Sequence, residues 1–378
     1  MLKALSRLWW RGVKSISKAQ RSQSKKLAKT FLAKPAKVKR TASKTAARKI
    51  PATTPLKSAP ASKTITDPTL PGRWLSFYYA SPSEGATPSR RRMQYWLYLP
   101  ASAPASALPL IVMLHGCNQT VDDFARGTRM NQLAEKQGFA VLYPQQSYTG
   151  HMKRCWNWYN KETQEGGGDA RRIAAIIGIA SDKYPIDKTR VYIAGLSAGA
   201  SLASIVALNY PHLITAVGIH SGTVFGAGHS LIGAYGVMQR GTLKYLTESI
   251  NNIEKKHTAF PKMPAILIHG MEDTVVRPVN TLQLTQQFRA LNGVNTQAEA
   301  TVIIKAASTA NSRHPHHAYK IHDYYEEDQL LVKVCEISQL GHAWSGGDCA
   351  IRYNACEGPD ATKMLWDFFR QHRKVGAP

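Results

Sequence analysis

Gly195-Leu196-Ser197-Ala198-Gly199 sets one hydroxyl between two glycines, after the apolar, β-rich run Val191-Tyr192-Ile193-Ala194 and before a small-residue run, Ala200 to Tyr210. A serine hydroxyl is a weak nucleophile until a base takes its proton and backbone amides receive the charge of the tetrahedral intermediate. A sharp strand-to-helix turn serves both needs, because it lifts Oγ clear of the chain and leaves the amides of a helix start unpaired beside it. Glycine at 195 and 199 leaves room for the turn and for close strand-helix packing. The five-residue pattern alone is weak, since small residues recur in Ala/Gly-rich helices, so its worth depends on partners elsewhere in the chain.

Two candidate partners follow in order. The apolar run Ala265 to Ile268 is followed by His269-Gly270-Met271-Glu272-Asp273, which puts Asp273 just past a strand end, with Glu272 as the adjacent rival. Leu331 to Ile337 is followed by Gln339-Leu340-Gly341-His342-Ala343-Trp344-Ser345-Gly346-Gly347, which puts His342 on a glycine-rich loop one strand later. Singly, a turn-capping aspartate and an ordinary loop histidine explain these residues as well. Together, in the order nucleophile, acid, base and each after a strand, they match the chain order of an α/β-hydrolase triad. In that reading His342 takes the Ser197 proton and Asp273 holds the imidazole in the useful tautomer. The oxyanion needs two backbone donors: the amide of Ala198, directly after the nucleophile, and the amide of Cys117, after the apolar strand Leu110 to Leu114.

The elements that must position these groups alternate. Trp74 to Ala80 and Tyr95 to Pro100 read as an opening antiparallel pair, followed by Leu110 to Leu114, a helix over Asp122 to Gln137, and Phe139 to Tyr143. A helix near Asp169 to Lys183 precedes the Ser197 strand and its helix. Strands at Ala216 to Ile219, Ala265 to Ile268 and Leu331 to Ile337 follow, with helices at Asn280 to Leu291 and Asp360 to His372. Strands alternating with helices of this length predict one α/β domain over residues 71–378, its mainly parallel sheet covered on both faces.

Charge is unevenly placed. Residues 1–70 hold 18 Lys or Arg against the single acid Asp67, whereas the remainder holds 31 basic and 23 acidic residues. The Lys/Ala/Pro-rich part of this segment has too few apolar side chains to build a core and reads as a disordered linker. Leu2, Leu5, Leu8, Trp9, Val13 and Ile16 recur at roughly helical spacing, so about residues 2–18 read as a basic amphipathic helix suited to an anionic surface, or as a tail with no partner. A granule, a membrane or nucleic acid would each supply the anionic surface, and a binding protein acting through this tail is the reading from a different functional class. No run reaches the roughly 18 apolar residues of a membrane span. Arg7, Arg11 and Lys14 interrupt any secretory apolar region near the N-terminus.

The five cysteines match no zinc spacing. Cys117 with Cys155 and Cys349 with Cys356 could form disulfides, leaving Cys335 odd; five reduced thiols is the alternative. Disulfides favour an extracellular or periplasmic location, and the interrupted N-terminus favours the cytoplasm. His314, His316 and His317, with His322 and Asp323 beyond, lack fixed ligand spacing and read as solvated surface, so no metal is expected. Triad chemistry requires no cofactor. Trp156 and Trp344, beside the motifs, are candidate substrate contacts.

LHGC with Asn118-Gln119, GFAVLYPQQ over 138–146, CWNWY over 155–159, GLSAGA and GHAWSGG together resemble the polyhydroxybutyrate depolymerase family of esterases, over roughly residues 74–370. The resemblance implies an α/β-hydrolase fold and a serine ester hydrolase. Its leading substrate would be poly(3-hydroxybutyrate) or its oligomers, with feruloyl and acetylated xylan esters as the alternative. The basic tail lies outside the resemblance. Deleting residues 1–70 is expected to abolish sedimentation with anionic liposomes or polymer granules and to leave turnover of a soluble ester unchanged.

Overall fold

The computed structural model describes residues 70–374, apart from short segments at 82–91, 102–105, 243–245, 258, 296–298, 310, 312 and 314. The expected amphipathic helix and linker lie outside these residues. The described chain belongs to one unit, Ser62–Pro378. Its ten strands are β1 (Arg73–Ala80), β2 (Arg92–Leu99), β3 (Leu108–Leu114), β4 (Ala140–Gln145), β5 (Ile186–Leu196), β6 (Ala216–His220), β7 (Ala265–Gly270), β8 (Thr301–Lys305), β9 (Tyr319–Glu326) and β10 (Gln329–Ile337). Between them run α1 (Val121–Thr128), α2 (Met130–Gln137), α3 (Lys161–Gln164), α4 (Gly168–Lys183), α5 (Ala198–Asn209), α6 (Leu231–Arg240), α7 (Leu246–Lys256), α8 (Val279–Leu291) and α9 (Ala361–Phe369).

The strands form one sheet in the order β1-β2-β4-β3-β5-β6-β7-β10-β9-β8. The stretch from β4 to β10 is parallel, and the pairs β1-β2 and β9-β8 close the edges with antiparallel pairing. Both faces of the parallel part are buried, which the side-chain alternation makes plain. Along β3, Leu110, Val112 and Leu114 join the core on one face, packed with α4, α5 and α8. Ile111 and Met113 join the core on the other face, with α1, α2 and α9. A strand buried on both faces reads as a continuous apolar run, and that is how β3, β5 and β7 were recognisable.

Two of three differences from expectation have local causes. The helix expected over Asp122 to Gln137 is two helices, broken at Arg129, whose φ of 57° is left-handed; Thr128 Oγ1 bonds back to Phe124 O at 2.8 Å just before the break. The edge strands β8 and β9 were not expected. Every residue of β8 is exposed and β9 is mixed with charges, so neither carries the apolar signal of a buried strand. Helices α6 and α7, between β6 and β7, were also missed. Among the described residues no helix is long and apolar enough to cross a membrane.

The parallel arrangement brings the C-terminal ends of β3, β5, β6, β7 and β10 to one end of the sheet, where the loops with the candidate residues leave. The packing there is close. A Cβ at Gly199 would stand 2.1 Å from Leu114 O, and one at Gly195 would stand 2.5 Å from the backbone of Gly199. Carbonyl groups of strand and helix cannot move aside as a flexible side chain can. Gly199→Ala is therefore expected to lower stability by about 1–3 kcal/mol, whereas Gly178→Ala on α4, where a methyl meets nothing within 4 Å, should raise it by about 0.5–1 kcal/mol. Urea unfolding midpoints of the two variants check this pair.

Candidate active site

Ser197 sits between β5 and α5 with φ 57° and ψ −120°, a conformation that L-residues with side chains rarely adopt. Backbone hydrogen bonds hold it there. Its amide donates to His220 O at 2.9 Å, and its carbonyl accepts from Ser201 N, also at 2.9 Å. The side chain is half-buried, at the start of a helix whose other residues are all buried. Ala198, the first residue of that helix, has an amide with no intramolecular acceptor among the described residues.

The loop after β3 runs alongside. A Cβ at Gly116 would stand 3.7 Å from Ser197 Cβ. In this loop the Gly116 amide is taken by Gln119 Oε1 at 2.8 Å, the Asn118 amide by Lys153 O at 2.7 Å, and the Gln119 amide turns back to Gly116 O at 3.4 Å. The Cys117 amide is left without an internal acceptor among the described residues. The Cys117 side chain is in a disulfide with Cys155, with Cα atoms 4.3 Å apart. Gln119 was not singled out from the sequence. It is buried, and its Nε2 has no hydrogen-bond partner among the described residues.

Asp273 and His342 meet. His342 Nδ1 lies 2.7 Å from Asp273 Oδ2, while Asp273 Oδ1 accepts from the amides of Val275 and Val276 at 2.8 and 2.9 Å. A carboxylate accepts from all three, so His342 carries its proton on Nδ1 and leaves the Nε2 lone pair free. Burial pushes the Asp273 carboxyl up, but the charge and hydrogen bond of His342, with His269 and the Val276 amide, outweigh it and hold the group below its ordinary value. Glu272, the rival acid, is exposed and contributes only its backbone, whose amide donates to Leu340 O at 3.1 Å. The acid and base loops touch at Gly270, where a Cβ would stand 2.2 Å from Leu340 O.

Trp156 and Trp344 do not serve as substrate contacts, because both are fully buried. Trp156 Nε1 donates to His115 O at 2.9 Å, beneath the loop that carries Cys117. Trp344 Nε1 donates to Thr362 Oγ1 at 3.1 Å, and its backbone pairs with Tyr353 and Ala355 inside the loop closed by the Cys349–Cys356 disulfide. Both tryptophans brace loops from behind. Cys335 is buried and free, and burial raises its thiol to about 12.

Three buried histidines and one aspartate escaped sequence reasoning. His115 Nδ1 donates to Gly116 O at 2.8 Å, and its Nε2 accepts from the Gln146 amide at 3.1 Å. His269 lies beside Asp273, with Thr281 Oγ1 at 2.5 Å from Nδ1 and Val276 O at 2.8 Å from Nε2. His220 lies between the Ser197 turn and the His342 loop. Asp169, at the start of α4, accepts from Gln146 Nε2 and from both nitrogens of Asn157, which ties the PQQ and CWNW segments together. The only available signal was the recurrence of polar residues inside apolar motifs, which marks burial with a partner and names none. His316, His317, His322 and Asp323 lie on and before β9; His322 faces Glu336 and Asp323 holds Lys333. His314 lies outside the described residues, and among those described no group of three or more His, Cys, Asp or Glu is arranged for a metal. A cavity of about 370 Å³ lined by Asn209, Phe225 and Lys256 sits near the far end of α5 from Ser197.

The parallel sheet, the turn at Ser197 and the order of loops define an α/β-hydrolase. Within that class the chain belongs to the esterase PHB depolymerase family, whose sequence profile matches residues 93–315. It is 27% identical over 253 residues to poly(3-hydroxyalkanoate) depolymerase C of Paucimonas lemoignei, covering 66% of this chain and 58% of that protein. It is 30% identical over 220 residues to feruloyl esterase B of Thermothelomyces thermophilus, covering 55% of this chain and 74% of that one. Acetylxylan esterase A of Emericella nidulans is 28% identical over 214 residues, 53% of this chain and 68% of its own. Among solved structures, the acetyl xylan esterase from Aspergillus awamori superposes with a TM-score of 0.59 at 19% identity, over 78% of this chain and 99% of that one. The S-formylglutathione hydrolase from Agrobacterium tumefaciens gives 0.51 at 12%, over 82% and 99%; these two likenesses establish the fold.

Burial lowers His115 to about 4, His220 to about 3 and His372 to about 4, while the unfolded chain binds these protons near the ordinary 6.5. A lowered value means the stabilising contribution is complete above 6.5 and is lost as pH falls towards the folded values. Asp273 acts in the same direction below about pH 4 and Asp360, raised by burial, acts against it. The urea midpoint at constant ionic strength is expected to hold between pH 8 and 7 and to drop steadily from pH 6.5 to 4.

Proposed function

We propose that this chain hydrolyses carboxylic esters through an acyl-enzyme on Ser197, with His342 as base and acid and Asp273 as its orienting carboxylate. The observation that carries this reading is the His342 Nδ1 to Asp273 Oδ2 contact of 2.7 Å on loops leaving the same sheet end as the Ser197 turn. Ser197 Oγ forms a bond to the ester carbonyl carbon while its proton passes to His342 Nε2. The carbonyl π electrons move to oxygen, and that oxyanion is received by the amides of Ala198 and Cys117. Collapse expels the alcohol, which takes the proton from His342. Water then attacks the acyl-enzyme by the same steps in reverse roles, freeing the acid and Ser197.

The substrate we propose is a poly(3-hydroxyalkanoate) or its oligomers. Support comes from the family, from the relative named as a depolymerase, and from apolar side chains exposed on the elements at this sheet end. Tyr148 and Met152 follow β4, Met271 follows β7, and Ile232 stands on α6, which is bound to the acid loop through Gln239. An apolar rim suits a chain of repeating aliphatic esters. A second reading, esters of ferulic acid or acetylated xylan, is favoured by the 30% identity to a feruloyl esterase. The two disulfides support work in an oxidising compartment, outside the cytoplasm.

Ser197→Ala should lower kcat on p-nitrophenyl butyrate by about 10⁴-fold or more, and Asp273→Asn by about 10⁴-fold. Wild-type rates in Ser197→Ala would remove Ser197 from the mechanism. Product analysis on hydroxybutyrate oligomers, polymer film, methyl ferulate and acetylated xylan then separates the two substrate readings.

A further inference from the structure

His220 ends β6, paired with Leu196 of β5 on one side and Ile268 of β7 on the other, between the strands that deliver the nucleophile and the acid. It is 1% exposed, and every polar atom it offers the site is engaged. Its carbonyl accepts the Ser197 amide at 2.9 Å. Its ring Nε2 accepts the Ser345 amide, three residues after His342, at 3.2 Å. Its Nδ1 lies 3.2 Å from Ser221 Oγ, and its ring stacks on Trp344 at 5.1 Å between centroids and 23° between planes. Because Nε2 accepts, the ring is neutral and its proton sits on Nδ1.

We propose that His220 is a positioning residue for ester hydrolysis, setting the separation of nucleophile and base by holding the Ser197 turn with its carbonyl and the His342 loop with its ring. This rests on the reading of Ser197 and His342 as nucleophile and base. The physical argument is one of span. Ser197 and His342 are 145 positions apart and stand on different loops, and neither loop is regular structure. One residue between them, bonding the Ser197 turn through its carbonyl and the His342 loop through its rigid ring, replaces a flexible path through two loops. Histidine suits the task because its ring offers a flat face to Trp344 and an acceptor at its far edge. Phenylalanine would keep the face and lose the acceptor, whereas glutamine would keep an acceptor at similar reach. Proton transfer from Ser197 to His342 is sensitive to sub-ångström displacement, while substrate binding on the rim is much less so.

The test compares His220→Phe and His220→Gln with the wild type and with Ser197→Ala on a soluble ester. His220→Phe is expected to lose about 100-fold in kcat with KM within about twofold, and the rate of Ser197 labelling by a fluorophosphonate should fall by a similar factor. His220→Gln should recover most of the loss, to within about fivefold of wild type. Histidine ¹⁵N NMR of the wild type adds a readout that needs no variant to fold: His220 Nε2 should remain an unprotonated acceptor from pH 8 to 5. Wild-type kcat in His220→Phe, failure of glutamine to rescue, or a protonated Nε2 would each overturn the role of His220. An active Ser197→Ala would overturn the reading of the site beneath it. A dead Ser197→Ala beside a fully active His220→Phe would overturn only the positioning.

Discussion

The close approach of α5 to the end of β3 is the constraint on which the rest of this end of the molecule depends. Ser197 can occupy φ 57° only because Gly195 and Gly199 let strand and helix backbones meet within distances that any Cβ would forbid. Such a conformation costs free energy, of order 1–3 kcal/mol, and persists where its surroundings over-determine it. Here they do: the Ser197 amide is bound by β6, its carbonyl is bound by its own helix, and the helix it opens is buried on all sides. The strain is held by the parallel sheet rather than by the loop.

Around that fixed point the other loops are tied by different means. The Cys117 loop is tied by a disulfide, by the Asn118 to Lys153 hydrogen bond and by Trp156 beneath it. The Asp273 loop is tied by its own turn, in which the carboxylate accepts two amides while it accepts His342. The His342 loop is tied by Trp344, by the strand-like pairing into the 349–356 loop, and by His220. Buried imidazoles recur in these ties because a neutral imidazole both donates and accepts in one rigid ring, which few side chains of its size can do without leaving an atom unsatisfied. The same burial that makes them good ties makes them poor proton acceptors.

Much of this was legible along the chain. β3, β7 and the Val191–Leu196 half of β5 are runs of apolar residues buried on both faces, and β10 is such a run broken only by Lys333 and Glu336; a run of that kind announces itself whatever surrounds it. Ser197, Asp273 and His342 stand after strands of the parallel sheet in a fixed order, so their arrival at one end of it followed from topology. What escaped notice was of another kind. The exposed edge strands β8 and β9 carry no burial signal. Trp156 and Trp344 were expected at the surface of the site because they neighbour its motifs, yet adjacency in sequence does not say which way a ring faces. Asp169, Gln119 and His220 are polar residues whose partners are between 1 and 125 positions away.

The sequence by itself determined the order of the buried parallel strands, the residue types that reach the sheet end and the family to which the chain belongs, because these depend on local periodicity and on the chain order of strands. Only the tertiary structure decided which cysteines pair, which amide of the LHGC loop stays free among the described residues, which acid faces His342, and that His220 bonds both Ser197 and Ser345. Each of those is a choice among chemically similar neighbours. The choice is made by distances of a few tenths of an ångström between groups far apart in the chain, and one-dimensional spacing carries no record of them.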